Sequence, residues 1–253
     1  MKPRNDLAAV YVIWLREIIR FWRDKARIIT ALIQPAVWLF VVGRGLGSTF
    51  RGPVPGIDYV KFMFPGVVGM TVLFTSIFSA VSIVWDREFG FLKEVLVAPV
   101  SRTAIVVGKA LSGSTVATLQ GAMILLLAPL VGVRLDTVSI FGALGLMVLL
   151  SFALCSAGIL VAARMESMQG FQLIMNFIVM PMYFLSGAIF PLAGLPAWMK
   201  ALAKADPLAY GVDGLKSVLI GVHEFPLLTD VTVIVAMAAV MIAGAVWLFN
   251  TEG

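Results

Sequence analysis

The sequence predicts an all-α integral membrane protein built on six transmembrane helices. Three observations carry that prediction. Of 253 residues, 60% are hydrophobic before the 23 glycines are counted, and mean hydropathy is +1.00. Soluble domains reach only ~45–50% apolar with glycine included, so a chain of this size in water could not bury the excess. Charged residues make up 13%, about half of the ~25% in a soluble domain. The apolar residues also gather into six stretches, each near the ~20 residues that cross a bilayer core. A cytosolic enzyme, a secreted disulfide scaffold and a disordered chain are excluded.

Residues 1–25 come first. Leu7, Val10, Tyr11, Trp14, Ile18, Phe21 and Trp22 recur at helical spacing, while Arg16, Arg20 and Arg23 mark another face. This predicts an amphipathic helix in the cytoplasmic interface. A cleaved signal peptide fits less well. A long charged stretch precedes the apolar run, and Val42-Gly43-Arg44-Gly45 is a poor small-residue cleavage site.

The bundle is expected over residues 26–249. Its first span, Ala26–Gly43, is short and holds Gln34 and Pro35, with a kink expected at the proline. Arg27 and Arg44 can snorkel at its ends. The others are Phe62–Val84, Ala104–Val131, Val138–Ala163, Phe171–Phe190 and Val231–Phe249. An even number places both termini on one side. Lys2, Arg4, Arg16, Arg20, Arg23, Lys25 and Arg27 precede the first span. With Arg87, Lys93, Arg102, Lys109 and Arg164 they outnumber Arg44, Arg51, Lys61, Arg134, Lys200, Lys204 and Lys216 opposite. Both termini are therefore expected in the cytoplasm. The net charge of +5 and pI near 9.6 follow from that bias, with no nucleic-acid partner needed.

Two connections exceed what a bare link requires. The cytoplasmic one, residues 85–102, has helical composition in its middle and stops at Pro99. Leu92, Val95 and Leu96 can share one face while Lys93 and Glu94 point elsewhere. It could seat apolar side chains in a groove on a soluble partner, with Arg87, Glu88 and Glu94 giving orientation. It could equally lie on lipid. The outer connection, residues 191–229, carries Pro191, Pro196, Pro207 and Pro226, with a helix-like stretch Ala197–Ala205. Trp198, Leu202 and Tyr210 suit the headgroup level.

Catalytic motifs are missing. Leu154-Cys155-Ser156-Ala157-Gly158 lacks the first glycine of a nucleophile elbow, and an apolar span gives Ser156 no base. Gly108-Lys109-Ala110 fails as the tail of a P-loop, because Thr103 stands at the leading glycine and Ala110 replaces Ser or Thr. Cys155 and His223 are single residues of their types, which leaves no intrachain disulfide and no His-based metal cluster. Lys109 is read as snorkelling to the cytoplasm. Spans almost free of charge argue against a carboxylate proton relay. Their uncharged polar residues remain open between helix packing and a translocation path: Gln34 in span one, Thr75 in span two, and Gln172, Asn176, Tyr183 and Ser186 in span five. Gly108, Ser112, Gly113, Ser114 and Gly121 in span three read as packing.

Two ordered motifs carry a resemblance. One is Arg87-Glu88-Phe89-Gly90, Leu92-Lys93-Glu94-Val95-Leu96 and Pro99-Val100-Ser101-Arg102, followed by Gly108-Lys109. The other is Leu185-Ser186-Gly187-Ala188-Ile189-Phe190-Pro191, then Leu195-Pro196-Ala197-Trp198, then Asp206-Pro207-Leu208-Ala209-Tyr210. Together they resemble the membrane permease subunits of ABC-2 type transporters, particularly the drug-exporter branch, across nearly the whole chain. Asp206 stands where that family often has Asn.

The resemblance implies one transmembrane domain over residues 1–253 and a chain that is not itself an enzyme. Two permease copies would pair, as a homodimer in the simpler case, and dock two copies of a separate ATP-binding subunit that holds ATP and magnesium. Residues 85–102 would form the coupling helix, with Arg87, Glu88, Phe89, Gly90, Leu92, Glu94, Leu96, Pro99 and Arg102 at the ATPase. Residues 191–229 would form a re-entrant hairpin closing the outer mouth, with Gly187, Phe190, Pro191, Pro196, Trp198, Pro207 and Tyr210 at the gate. The polar span residues above would line the path. Export across the bacterial cytoplasmic membrane of an amphipathic or lipophilic substrate is expected: a drug, an antibiotic, a lipid or a lipid-linked glycan. The alternative is an ATP-independent carrier or channel.

Overall fold

The computed structural model describes residues 3–49, 56–88 and 100–251. Most of those residues are helical, with no β-strand among them. In chain order they are α1 (Pro3–Arg23), α2 (Lys25–Val37), a π-helical stretch (Trp38–Val42), α3 (Gly43–Thr49), α4 (Tyr59–Ser79) and α5 (Val81–Glu88). Then follow α6 (Arg102–Leu125), α7 (Thr137–Ala162), α8 (Met168–Leu185), α9 (Ala197–Ala205), α10 (Pro207–Ile220) and α11 (Leu227–Thr251). Side-chain caps set several starts. Asp58, Ser101, Asp136, Ser167 and Asp206 each accept a backbone N–H in the first turn of the helix that follows, satisfying donors that no helical carbonyl can reach.

Packing follows apolar coverage. Helix α4 is predominantly apolar, and 16 of its 21 residues are buried, as a helix at the centre of a bundle requires. Helices α6, α7, α8 and α10 surround it. Small residues let the backbones close in. A Cβ on Gly158 of α7 would lie 2.9 Å from the Ile77 carbonyl oxygen, and one on Gly66 of α4 would lie 2.6 Å from that of Ala188. The Ser114 and Ser151 hydroxyls meet at 2.7 Å between α6 and α7, one polar contact between helices in an apolar setting.

Among the described residues, five segments are long and apolar enough to cross a membrane: Ile28–Gly47, Tyr59–Glu88, Thr137–Ala162, Met168–Leu185 and Leu227–Thr251. The expected third span, Ala104–Val131, corresponds to α6, which is not among them. At 24 residues it is long enough, about 36 Å at 1.5 Å per residue. It falls short in composition because Lys109, Ser112, Ser114 and Gln120 are buried against protein. Its surroundings are α1, α2, α4, α7 and α11, so little of it needs to be lipid-compatible.

Three further expectations change in detail. The helix continues through Pro35, and the π-helical stretch beginning three residues later takes up the disturbance. Helix α1 is amphipathic as expected, but it is packed along α6. The Trp14 Nε1–H donates to Thr115 Oγ1 at 3.0 Å, Phe21 is buried, and Gly108 lets Ile13 approach. Leu7, Tyr11 and Trp22 stay exposed. Finally, the outer connection contains, besides the expected 197–205 helix, the 14-residue helix α10, with nine residues buried. Gly211 is why it fits: a Cβ there would lie 2.5 Å from Leu150 Cδ2.

Candidate functional site

Residues 89–99 lie outside the described residues, and with them Phe89, Gly90, Leu92, Glu94, Leu96 and Pro99. Their two flanks are described, and the polar groups there reach other helices of the same chain. On the leading flank, Asp86 Oδ2 is 3.3 Å from Lys109 Nζ of α6. Arg87 Nη1 donates to the Met165 carbonyl at 3.5 Å. Glu88 Oε2 accepts the Met168 N–H at 3.1 Å. That N–H is the first of α8, so the carboxylate sits where a helix N-terminus favours negative charge. On the trailing flank, the Ser101 N–H donates to Asp6 of α1 at 2.9 Å, and Arg102 Nη1 donates to the Phe249 carbonyl of α11 at 2.8 Å. The segment is thus framed by bonds to α1, α6, the α7–α8 connection, α8 and α11.

Gln34 and Thr75 come together. With Thr30, Pro35, Met70, Thr71, Phe74, Phe78 and Gln120 they line a cleft of about 280 Å³ between α2, α4 and α6. Thr75 Oγ1 donates to Gln120 Oε1 across its floor, and Phe74 stacks on Phe78 at 6.1 Å. The cleft therefore offers both aromatic surface and hydrogen-bonding groups, the mixture an amphipathic molecule needs.

The α8 residues do not join that cleft. Gln172 and Asn176 are exposed, whereas Tyr183 and Ser186 are buried. The steps of four and seven put Gln172, Asn176 and Tyr183 in one helical sector. At Tyr183 that sector is covered by Trp38, whose ring meets it edge-on at 6.1 Å. The buried Tyr183 hydroxyl has no hydrogen-bond partner among the described residues. Ser186 acts on its own turn. Its hydroxyl donates to the Tyr183 carbonyl at 2.7 Å and accepts the Ala188 N–H at 3.3 Å, closing α8.

Beyond α8 the chain reverses. Gly187 has φ of +79°, open to glycine at little cost. Its carbonyl accepts from Lys216 Nζ of α10, and the same ammonium lies 3.6 Å from the centre of the Phe62 ring, a cation–π contact. The Ile189 carbonyl accepts the Tyr59 hydroxyl at 3.0 Å. Phe190 and Pro191 continue the reversal half-buried. Pro196 precedes α9, where Trp198 is exposed, and Pro207 opens α10, the position at which proline loses no helical bond. The Tyr210 ring stacks on Phe225 at 5.1 Å, and its hydroxyl donates to the Lys204 carbonyl. The buried Asp213 carboxylate accepts the Glu224 and Phe225 N–H groups at 2.8–3.0 Å. Residues 187–226 are therefore knitted to α4 and to one another by polar bonds, that of Lys216 to Gly187 buried.

The sequence profile of the ABC-2 type transporter family matches residues 8–220, from the exposed face of α1 to the end of α10. The chain belongs to the ABC-2 type transporter family. Among its relatives, nodulation protein J of Rhizobium meliloti (strain 1021) is 29% identical over 213 residues, covering 83% of this chain and 80% of that one. The inner membrane transport permease YadH of Escherichia coli (strain K12) is 27% identical over 230 residues, covering 90% and 89%.

Within this ABC-2 chain, the described parts of the first family-like motif are the flanks of 89–99, and the second motif runs between α8 and α10. Residues that sequence reasoning missed are the charges that tie these two regions to neighbouring helices: Asp6, Glu17 and Asp86 in the first, Asp213 and Lys216 in the second. Asp213 and Lys216 are three apart in an apolar run. That spacing was a signal, because charge inside apolar helices needs a partner, but it was hidden by reading 191–229 as a connection.

Asp206, in place of the resemblance's usual Asn, gives a pH test. Its Oδ1 caps α10 through the Leu208 N–H at 2.9 Å, and its Oδ2 is buried without a hydrogen-bond partner among the described residues. Burial pushes the carboxyl up to about 7, against the downward pull of the Leu208 N–H. The folded protein then holds this proton to higher pH than the unfolded chain. The stabilisation is full below the ordinary carboxylate range and is lost as pH rises through about 7. Asp206→Asn is expected to keep the cap and to melt above the wild type at about pH 8, with the advantage gone near pH 4. Melting curves in detergent check this; a pH-independent offset would contradict it.

Proposed function

We propose that this chain is the membrane permease subunit of an ATP-driven exporter in the bacterial cytoplasmic membrane, moving an amphipathic or lipophilic substrate outward. ATP and magnesium bind a separate ATPase subunit, two copies of which dock on two permease chains. The observation that carries this reading is the frame around residues 89–99. A connection that only links two spans needs no ties. Here its flanks bond to α1, α6, the α7–α8 connection, α8 and α11, so a push on the segment from the cytoplasm is delivered to most of the bundle at once. Residues 85–102 act as the coupling segment, with Phe89, Gly90, Leu92, Glu94, Leu96 and Pro99 meeting the ATPase. Arg87, Glu88 and Arg102 pass the movement inward.

Helix α6 serves as the sixth span, which keeps both termini in the cytoplasm. The uncovered apolar faces of α2 and α8, including Ile29, Ile33, Leu173 and Phe177, fit a second copy of the chain. Gln172 and Asn176 lie on the open side of α8 and would border the path between copies. The hairpin of α9 and α10 closes the outer mouth.

Vesicles turned inside out and loaded with the complex test this. They are expected to accumulate lipophilic dyes when given ATP and magnesium, even after ionophores collapse every ion gradient. Accumulation that follows an ion gradient and ignores ATP would instead support a secondary carrier.

A further inference from the structure

Lys109 does not snorkel. Its side chain is 7% exposed, and its ammonium has three neighbours. They are Glu17 Oε1 of α1 at 3.3 Å, Asp86 Oδ2 of α5 at 3.3 Å and Ser82 Oγ of α5 at 2.9 Å. An ammonium has three protons to donate, so its bonding capacity is filled by two different helices. Arg16 adds a second cation to Glu17 at 3.1 Å. Burial alone would raise the Glu17 carboxyl, but Lys109 and Arg16 outweigh it and hold it below its ordinary value. A cavity of about 130 Å³ opens beside the cluster, lined in part by Arg20, Trp85 and Ser112, so the three helices are not locked by apolar packing at this point.

The connectivity gives the cluster its meaning. Helix α5 leads directly into 89–99, α6 begins three residues after it, and α1 is followed after Asp24 by α2. We propose that Lys109 is a positioning residue that clasps α1 and α5 to α6, so that displacement of residues 89–99 is carried into α1 and on to the first span. This rests on the exporter reading above and adds the route by which the stroke leaves the coupling segment. Ionic bonds suit such a clasp. A buried pair adds little net stability but fixes geometry, and its members resist separation because each would be left as an unpaired buried charge. Apolar contacts at the same place would let the helices slide.

The test uses the permease purified with its ATP-hydrolysing partner, and hydrogen–deuterium exchange read with and without ATP plus vanadate. In the wild type, nucleotide is expected to change protection in 3–23 as well as in 102–125. Lys109→Met keeps the length and apolar stem of the side chain. It is expected to leave the partner bound and the basal ATPase rate within about twofold, while the nucleotide-dependent change in 3–23 falls about three- to tenfold. Lys109→Arg should restore most of it. Asp86→Asn, which loosens only the α5 side, is the second variant should Lys109→Met fail to fold, and it is expected to reduce the same response. Unchanged transmission to 3–23 in a variant that still hydrolyses ATP overturns the clasp and leaves the exporter reading standing. Absence of any ATP-hydrolysing partner from the wild-type preparation overturns the exporter reading, and the clasp with it.

Discussion

Gly66→Val is expected to break the outer half of the bundle. A Cβ at this position would lie 2.6 Å from the Ala188 carbonyl oxygen and 2.7 Å from Ala188 Cα. Both are backbone atoms, so no side-chain rotation can make room. Overpacking a core costs about 1–3 kcal/mol where side chains can shift, and more where they cannot. Here the neighbour is the segment just past Gly187, whose path is already fixed by Lys216 on the Gly187 carbonyl and by Tyr59 on that of Ile189. Moving Ala188 means breaking one of them. The variant should lose monodispersity on size exclusion in detergent, or melt at least ~5 °C lower. Gly145→Ala is the control. No atom lies within 4 Å of a Cβ there, and alanine in a helix interior gains about 0.5–1 kcal/mol over glycine. Equal damage from both variants would show that α4 does not seat the outer reversal as described.

The second large effect is expected at Asp213. Its carboxylate receives three contacts of 2.8–3.0 Å from the Glu224 and Phe225 N–H groups while only 3% exposed. Truncation to alanine leaves both donors unpaired and removes the negative charge one turn from buried Lys216. Loss of one member of a buried charged network costs about 3–5 kcal/mol. Asp213→Asn keeps one acceptor oxygen and the side-chain shape, so it should cost roughly half as much. Thermal unfolding followed by tryptophan fluorescence separates the two. Damage confined to residues 187–226, seen as faster proteolysis there with the bundle intact, is the expected pattern. If the alanine and asparagine variants match, the carboxylate is not what holds the connection after α10.

How far the sequence could be read depends on what each residue packs against. Helix α4 was legible because its long, predominantly apolar run needs burial on most sides. The amphipathic helix was legible in its spacing but not in its partner. Nothing in residues 1–25 says that Ile13 and Trp14 meet Gly108 and Thr115 of α6. Helix α6 was read as a membrane span by length, but its spacing could not show that Ser114, Gln120 and Lys109 find partners on neighbouring helices while Ser112 bonds its own turn. Lys109 shows the general difficulty. A lone lysine one and a half turns inside an apolar run has two outlets, the interface or a buried carboxylate, and only the fold says which carboxylates arrive. Tyr183 makes the same point in reverse. Its sector was readable from spacing, but Trp38 covers it from a distant part of the chain. Gly187, Pro196 and Pro207 were legible as breaks because their backbone needs are local. That residues 207–220 form a buried helix was not, since Pro207 and Gly211 read as loop residues until Leu150 is seen resting on Gly211.

The central claim is that this ABC-2 chain couples to a separate ATPase through residues 89–99. Purification from native membranes in mild detergent, with mass spectrometry of whatever stays bound, tests it most directly. The account predicts a stoichiometric ATPase subunit carrying a nucleotide-binding P-loop, released when residues 89–99 are replaced by a flexible linker while the permease remains in the membrane. A chain that comes down alone across several detergents, or an ATPase that stays bound after that replacement, would contradict it.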